Sequence, residues 1–178
     1  MQEDRLIRNI IDQMKEVHLK LGFVKESTRL YFAWETIGHL LDTDCSDHRK
    51  LLEDLNKNPV FAEGKLGKLR FRENKGRAEV TIPPEGAVYV NREVPAPPFL
   101  SAVIRLFESH HSPDLEQIRA CFAEFGEYVC RPSGNGDFDY VLYFCNPCVD
   151  PYYYCVKMEM GHTIYHRFIK EDYEVLME

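Results

Sequence analysis

The sequence predicts an α+β fold: a helix-rich N-terminal part with a basic β-hairpin, then two helices and an antiparallel β-meander. Apolar residues recur at intervals of three or four between Leu6 and Leu55, which indicates amphipathic helices. The period changes to two over residues 68–82, which indicates a hairpin. Alternating segments rich in aromatic residues then follow between residues 127 and 168 and predict the meander.

Three helices are predicted at the start of the chain, because each apolar pattern has capping residues beside it. They cover residues 4–21 with Gly22 as the C-cap, residues 27–41 with Ser27 as the N-cap, and a third segment that Ser46 caps and Asn58-Pro59 breaks. This part of the chain is therefore expected to be mainly helical.

A hairpin with a basic face is predicted next. It pairs residues 68–73 with residues 77–82 around the turn Asn74-Lys75-Gly76, and a short helix follows over residues 85–92. Strand alternation places the first three of its cations on one face. The basic residues proposed as a binding site are Lys68, Arg70, Arg72, Lys75 and Arg77.

The segment VPAPP, residues 94–98, is the best candidate for a boundary. We expect residues 1–178 to form a single compact unit with two possible lobes, 1–93 and 98–178. The second lobe is predicted to contain helices at 99–110 and 112–125, strands at 127–131, 137–145, 152–159 and 162–168, and a last helical turn after residue 169.

Each lobe thus has helices followed by a hairpin, which is the element order of a winged helix. A tandem winged-helix-like arrangement is therefore a specific form of the predicted fold, although no residue-level repeat accompanies it. Aromatic residues on both faces of strand 137–145 predict a sheet covered by helices on one side and partly covered on the other. Tyr143, Tyr153 and Tyr165 are expected on the side away from the helices, where they would suit an interface.

Composition excludes several classes of protein. The 178 residues carry a net charge of −7, which argues against general affinity for nucleic acid or anionic lipid. All of this excess lies after residue 97, so the two halves are expected to present different surfaces. With no apolar run near 18 residues and no secretory signal, a cytoplasmic protein without a membrane span is expected. Its six cysteines are then expected to be reduced, and Cys121, Cys130, Cys145 and Cys155 lie in apolar segments typical of buried thiols.

Several short segments resemble a family of proteins from Firmicutes bacteria that is classed only as a domain of unknown function. They are LKLGF (19–23), RLYF (29–32), IPPEG (82–86), FDYVLYF (138–144), IYHRF (164–168) and EDY (171–173). The resemblance covers nearly the whole chain and implies a cytoplasmic protein of this size, but no catalytic residues. The chain departs from the family pattern at Phe32-Ala33, where the family has Tyr-Pro, and at its paired cysteines in residues 145–148.

A zinc site is the first chemical hypothesis. Cys145, Cys148, His162 and His166 have the loose spacing of a Cys2His2 set. The segment HTIYHRF alternates like a strand, however, and residues four apart on a strand lie about 13 Å from each other, too far for one ion. We therefore favour no metal and no cofactor, with zinc kept as a minor alternative.

Redox and hydrolytic chemistry have less support. A reactive CxxC needs its first thiol at a helix N-terminus, whereas Asn146-Pro147 predicts a turn there. A metal-dependent enzyme would gather acidic side chains such as Asp137, Asp139 and Glu159 beside the two histidines. No nucleophile motif or phosphate-binding loop accompanies them.

The function that the sequence favours is a non-enzymatic module that binds another protein through the basic hairpin. The alternative is a winged-helix-like DNA-binding regulator that uses residues 65–77 to grip phosphates. No aromatic residue interleaves with the cations on that face, so base stacking is not indicated. The sequence names no partner, ligand or oligomeric state.

Overall fold

The structure, a computed structural model, describes residues 2–177. These residues form an α+β fold with eight helices and two antiparallel sheets. The chain divides into two compact units, one that ends at Ala96 and one that begins at Pro97. None of the helices in the described part of the chain has the length and apolarity needed to cross a membrane.

The N-terminal unit packs five helices against a three-stranded sheet of order β1-β3-β2. In chain order its elements are α1 (Gln2–Leu21), β1 (Thr28–Phe32), α2 (Trp34–Leu41), α3 (His48–Lys57), α4 (Pro59–Ala62), β2 (Arg70–Asn74), β3 (Arg77–Ile82) and α5 (Pro84–Glu93). Its core joins the apolar stripe of α1, including Leu6 and Ile10, to inward side chains of the sheet such as Val80 and Ile82.

Residues 28–32 form a strand, so the helix predicted from Ser27 onward is wrong over this stretch. Leu30 and Phe32 are buried while Arg29 and Tyr31 are exposed, which is a period of two. This stretch has only five residues, so its buried positions, taken together with Trp34 of the next helix, also fit the period of a helix. Pairing with β3 favours the strand over the helix, because Val80 of β3 lies opposite Leu30 in an antiparallel ladder.

The ends of α1 and α3 follow the predicted capping chemistry with one shift, whereas Ser27 caps no helix because a strand follows it. Gly22 has a φ of 84° and donates its N–H to the His18 carbonyl, as a C-cap glycine does. Asp47, and not Ser46, caps α3 by accepting a hydrogen bond from the Lys50 N–H. Asn58 ends α3 and caps α4, so the predicted break at Asn58-Pro59 is confirmed.

The C-terminal unit is a four-stranded meander with helices on both faces. Its elements are α6 (Pro98–Ser109), α7 (Leu115–Ala123), β4 (Tyr128–Pro132), β5 (Tyr140–Phe144), β6 (Tyr153–Glu159), β7 (His162–Phe168) and α8 (Lys170–Leu176), with strand order β4-β5-β6-β7. Helix α7 begins three residues later than predicted, because Asp114 and Gln117 form a capping box there.

One face of this sheet packs against α6 and α7 and the other against α8. On the first face, Phe99 and Phe122 cluster with Phe144 and Tyr154. On the second, Tyr173 of α8 covers the centre of the sheet. The prediction of a sheet covered fully on one side and partly on the other is therefore confirmed.

The three tyrosines expected on the second face divide between the two sides. Tyr143 and Tyr153 lie there and stack with their ring centroids 4.2 Å apart. Tyr165 lies on the first face, where its ring meets Phe107 of α6 at 4.9 Å, so its predicted position is wrong. The cause is the pairing of Tyr165 with Val156, which sets its orientation across the sheet.

Candidate functional site

The outer face of the N-terminal sheet collects arginines from all three strands. Lys75 and Gly76 form a two-residue turn with φ values of 51° and 76°, which sets the hairpin register. Arg72 then lies opposite Glu79, and Arg70 lies opposite Thr81. We call this surface the basic sheet face; it consists of Arg29, Tyr31, Arg70, Arg72, Asn74, Arg77, Glu79 and Thr81.

Glu79 is the centre of this face. Its side chain is fully buried, and its carboxylate accepts hydrogen bonds from Arg72 at 2.7 and 3.0 Å and from Asn74 at 2.6 Å. Arg29 adds a longer ion pair at 3.9 Å. The bonds from Arg72 and then Asn74 lower the pKa of Glu79 to about 2, although burial acts in the opposite direction.

The five predicted site residues have different roles in this arrangement. Arg72 forms an ion pair with Glu79, so its charge is already partnered and its main role is to hold the side chains of the face in place. Arg70 and Arg77 are exposed on the same face, and Arg77 also reaches the Tyr31 carbonyl at 3.4 Å. Lys75 is exposed in the turn and Lys68 is exposed just before β2. Among residues 2–177, no carboxylate lies within ion-pair distance of Arg70.

Five members of the face are absent from the predicted site: Asn74, Glu79 and Thr81 of the predicted hairpin, and Arg29 and Tyr31 of β1. Arg29 and Tyr31 lie within residues 27–41, for which the sequence predicts a helix. Tyr31 is 43% exposed and lies opposite Glu79. The alternation of Thr28–Phe32 was the available signal.

The free edge of β2 is closed by a side chain. Asn56 of α3 accepts a hydrogen bond from the Phe71 N–H at 3.0 Å and donates one to the Phe71 carbonyl at 2.9 Å. These two hydrogen bonds replace the bonds that a neighbouring strand would make with the backbone of Phe71. The backbone of Phe71 is therefore not available to pair with a strand of a partner protein, whereas the side chains of the basic sheet face are.

The four candidate zinc ligands are spread along the meander. Cys145 follows β5, beside the beginning of β6, whereas His162 faces Glu159 at the other end of β6. Strand geometry separates these two ends by about 20 Å. In the described part of the chain, no group of three or more His, Cys, Asp or Glu side chains is placed to hold a metal ion.

The six thiols differ in exposure: Cys45, Cys121 and Cys130 are half-buried, so the burial expected for Cys121 and Cys130 is only partial. Cys145 and Cys148 are exposed, so the expected burial of Cys145 is wrong: the strand ends at Phe144, and a turn held by the Asn146 side chain follows. Cys155 is buried, and burial raises the pKa of its thiol to about 12, which makes it unreactive.

Of the acidic residues considered for an enzyme, Asp139 has a structural role. Asp139 accepts a hydrogen bond from the Met158 N–H at 2.6 Å and lies 3.8 Å from Lys157. It therefore links the residue before β5 to strand β6. Glu159 and His162 flank the turn between β6 and β7 at exposed positions.

Zinc content gives a direct check of the metal hypothesis. We expect well below one zinc per chain in tag-free protein purified without chelator, measured by elemental mass spectrometry, because the candidate ligands are spread along β5 to β7. One zinc held per chain and lost on Cys148→Ser would contradict this.

A family profile matches residues 3–177 of the chain, and its description reads "Domain of unknown function, E. rectale Gene description (DUF3877)". The chain belongs to this family. The expected membership of an uncharacterised bacterial family is therefore confirmed. Comparison with curated proteins and with solved structures found no match for this DUF3877 member.

The segment IPPEG in this DUF3877 member has a structural role at the start of α5. It joins β3 to α5 through Pro83 and Pro84. A Cβ at Gly86 would overlap the Leu66 carbonyl, so the glycine allows the preceding loop to pack directly on the helix.

Proposed function

We propose that this DUF3877 member is a cytoplasmic, non-enzymatic module that binds an acidic segment of another protein through the basic sheet face. The observation that carries the proposal is a surface with four arginines and one carboxylate, Glu79. That carboxylate is buried and bound to Arg72. Positive charge on the face therefore exceeds negative charge, and Arg70 and Arg77 are exposed to a partner.

Arginine side chains favour carboxylates as partners. A guanidinium group binds a carboxylate through two parallel hydrogen bonds, and arginine and tyrosine are enriched at protein interfaces. Tyr31 lies opposite Glu79 on the same face, is partly exposed, and has an apolar ring and a polar hydroxyl. These features support recognition of a peptide with acidic residues and some apolar surface.

DNA is the second candidate, favoured by the topology of the N-terminal unit. Its order of one helix, one strand, three helices (the last of them the four-residue α4) and a hairpin, with strand order β1-β3-β2, is similar to that of a winged helix. The likeness concerns this unit, since only two helices precede the meander of the other. In such a domain α3 would enter the major groove and the turn at Lys75 would form the wing.

The charges on α3 place DNA second. Glu53 and Asp54 are both exposed in the middle of this helix. Glu53 lies 3.8 Å from Arg49 and 3.5 Å from Lys57, so it reduces the positive charge that this pair presents. Because Glu53 and Asp54 offset two of the three cations of α3, which are Arg49, Lys50 and Lys57, this helix offers little net positive charge to the phosphates of a duplex. The basic sheet face has no exposed carboxylate of this kind among its eight residues.

The test compares two fluorescent probes, a ten-residue peptide of glutamate with one central phenylalanine and a 20-base-pair DNA duplex. We expect the peptide to bind more tightly than the duplex at 150 mM salt, measured by fluorescence anisotropy. Arg70→Glu with Arg77→Glu is expected to weaken peptide binding at least tenfold, because both changes reverse charge on the face. Lys25→Glu with Arg92→Glu makes the same charge change at exposed positions elsewhere in the unit and should leave binding within about twofold.

Two outcomes would count against the proposal. Tighter binding of the duplex, with a steep loss between 50 and 200 mM salt, would favour the DNA-binding alternative. Equal binding of the peptide by the two double variants would show that the basic sheet face is not the site. Circular dichroism spectra and melting curves of each variant establish that the fold is retained.

A further inference from the structure

The N-terminal unit contains an apolar cleft that the proposed function does not use. It lies between α1, the loop from α4 to β2, and α5, and has a volume of about 170 Å³. Its apolar walls come from Ile7, Ile11, Val60, Leu66, Leu69 and Tyr89. None of these side chains belongs to the basic sheet face.

The loop that forms one wall of the cleft is held in place. Gly67 donates its N–H to the Gly64 carbonyl at 3.0 Å, and Leu69 donates to the Phe61 carbonyl at 2.9 Å. Leu66 is buried, and its carbonyl packs against Gly86 of α5. Gly67 has a φ of 73°, a conformation that favours glycine. The cleft is therefore formed before any ligand arrives, as small-molecule sites usually are.

A single cation lies beside the apolar lining. Lys65 belongs to the wall, and its ammonium nitrogen is 5.7 Å from the centroid of the Tyr89 ring. The residue is exposed, and in the chain from residue 2 to residue 177 no carboxylate lies within ion-pair distance of it. An anion that enters the cleft can therefore pair with Lys65 without displacing a carboxylate of the protein.

We propose that this cleft binds a small monocarboxylate with a compact apolar body. The body would contact Ile7, Ile11 and Tyr89, and the carboxylate would pair with Lys65. Size supports this class of ligand, because a dry cavity of about 150 Å³ with similar lining holds a benzene ring. Inorganic anions have no apolar group to fill the walls, and neutral hydrocarbons have no partner for the ammonium group.

Nuclear magnetic resonance of isoleucine δ1-methyl groups tests the site with 3-phenylpropionate as the probe. Ile7 and Ile11 line the cleft, whereas Ile104 and Ile118 lie in the core of the C-terminal unit and serve as internal controls. We expect saturable shifts at Ile7 and Ile11 and none at the controls. Binding of 3-phenylpropanamide, which has the same ring without the charge, should be at least fivefold weaker, and acetate should produce no saturable shift.

Matched lysine variants test the role of the cation. Lys65→Met is expected to weaken 3-phenylpropionate binding at least fivefold and to remove its advantage over the amide. Lys68→Met changes an exposed lysine three residues away, outside the lining, and should leave binding within about twofold. The proposal is overturned by the absence of saturable shifts at 10 mM probe, by shifts centred on the control isoleucines, or by equal binding to the wild type and Lys65→Met.

Discussion

Replacing Phe99 by alanine is expected to lower the free energy of unfolding of the C-terminal unit by about 3–5 kcal/mol. Phe99 is 1% exposed, and its ring lies 4.6 Å from Phe122 and from Phe144 and 5.4 Å from Tyr154, measured between ring centroids. The substitution removes the aromatic ring through which α6 contacts α7, β5 and β6. The cavity left behind adds to the loss of buried apolar area.

Urea denaturation followed by near-ultraviolet circular dichroism of the tyrosines measures this change. Ile164→Ala is the matched control, because Ile164 is 51% exposed on β7 of the same sheet. Its effect should stay near 0.5 kcal/mol or below. A loss below about 1 kcal/mol for Phe99→Ala would show that the aromatic cluster is not the centre of the core.

The same variant tests whether the two units unfold separately. Trp34 is the one tryptophan of the chain and lies buried in the N-terminal unit, so its fluorescence reports that unit. Because each unit is compact by itself, we expect residues up to Ala96 and residues from Pro97 onward to unfold separately, and not as the single unit that the sequence predicts. Phe99→Ala should then shift the tyrosine transition and leave the Trp34 transition in place. Equal shifts in both would indicate one cooperative unit.

Replacing Glu79 by glutamine is expected to destabilise the N-terminal unit at neutral pH and to have little effect near pH 2. The pKa of Glu79 is lowered from its ordinary value of 4.5 to about 2 in the folded protein, by the hydrogen bonds from Arg72 and Asn74. A carboxyl group with a depressed folded pKa contributes stability above its unfolded pKa. That contribution is lost as the pH falls from about 4.5 to about 2.

Urea denaturation followed by Trp34 fluorescence, repeated from pH 7 to pH 2, measures the difference between wild type and Glu79→Gln. We expect the difference to be largest at pH 7 and to close over that acid window. Glu73→Gln is the control at pH 7, since Glu73 is exposed on the neighbouring strand and its loss should change stability by about 0.5 kcal/mol or less. A difference that does not depend on pH would show that the Glu79 carboxylate is not held by Arg72.

Much of the fold could be predicted because it follows from local patterns. The first helix, the two helices after Pro97 and the four strands of the meander all came from periodicity and capping residues, with shifts of a few residues at their ends. The hairpin from Arg70 to Ile82 came from its alternation and its turn. The strand at Thr28–Phe32 was missed, because five residues before a helix do not distinguish the two periods until a partner strand is present.

The basic sheet face could be predicted only in part. Its cations in the hairpin were visible as alternating residues, but Arg29 joins them from a strand about forty residues earlier in the chain. The hydrogen bonds from Arg72 to the buried Glu79 carboxylate could not be predicted from the sequence either. Alternation showed that Glu79 shares a face with Arg77, whereas the cross-strand register placed it opposite Arg72.

Sequence by itself determined the class of the fold, the helices and hairpins, and the uneven charge of the two halves, since each depends on residue type and near neighbours. Tertiary structure alone decided which charges are neutralised, which thiols are buried, and where an apolar cleft remains beside Lys65. These features depend on contacts between residues far apart in the chain. Local periodicity contains no information about such contacts, and only the packed fold supplies it.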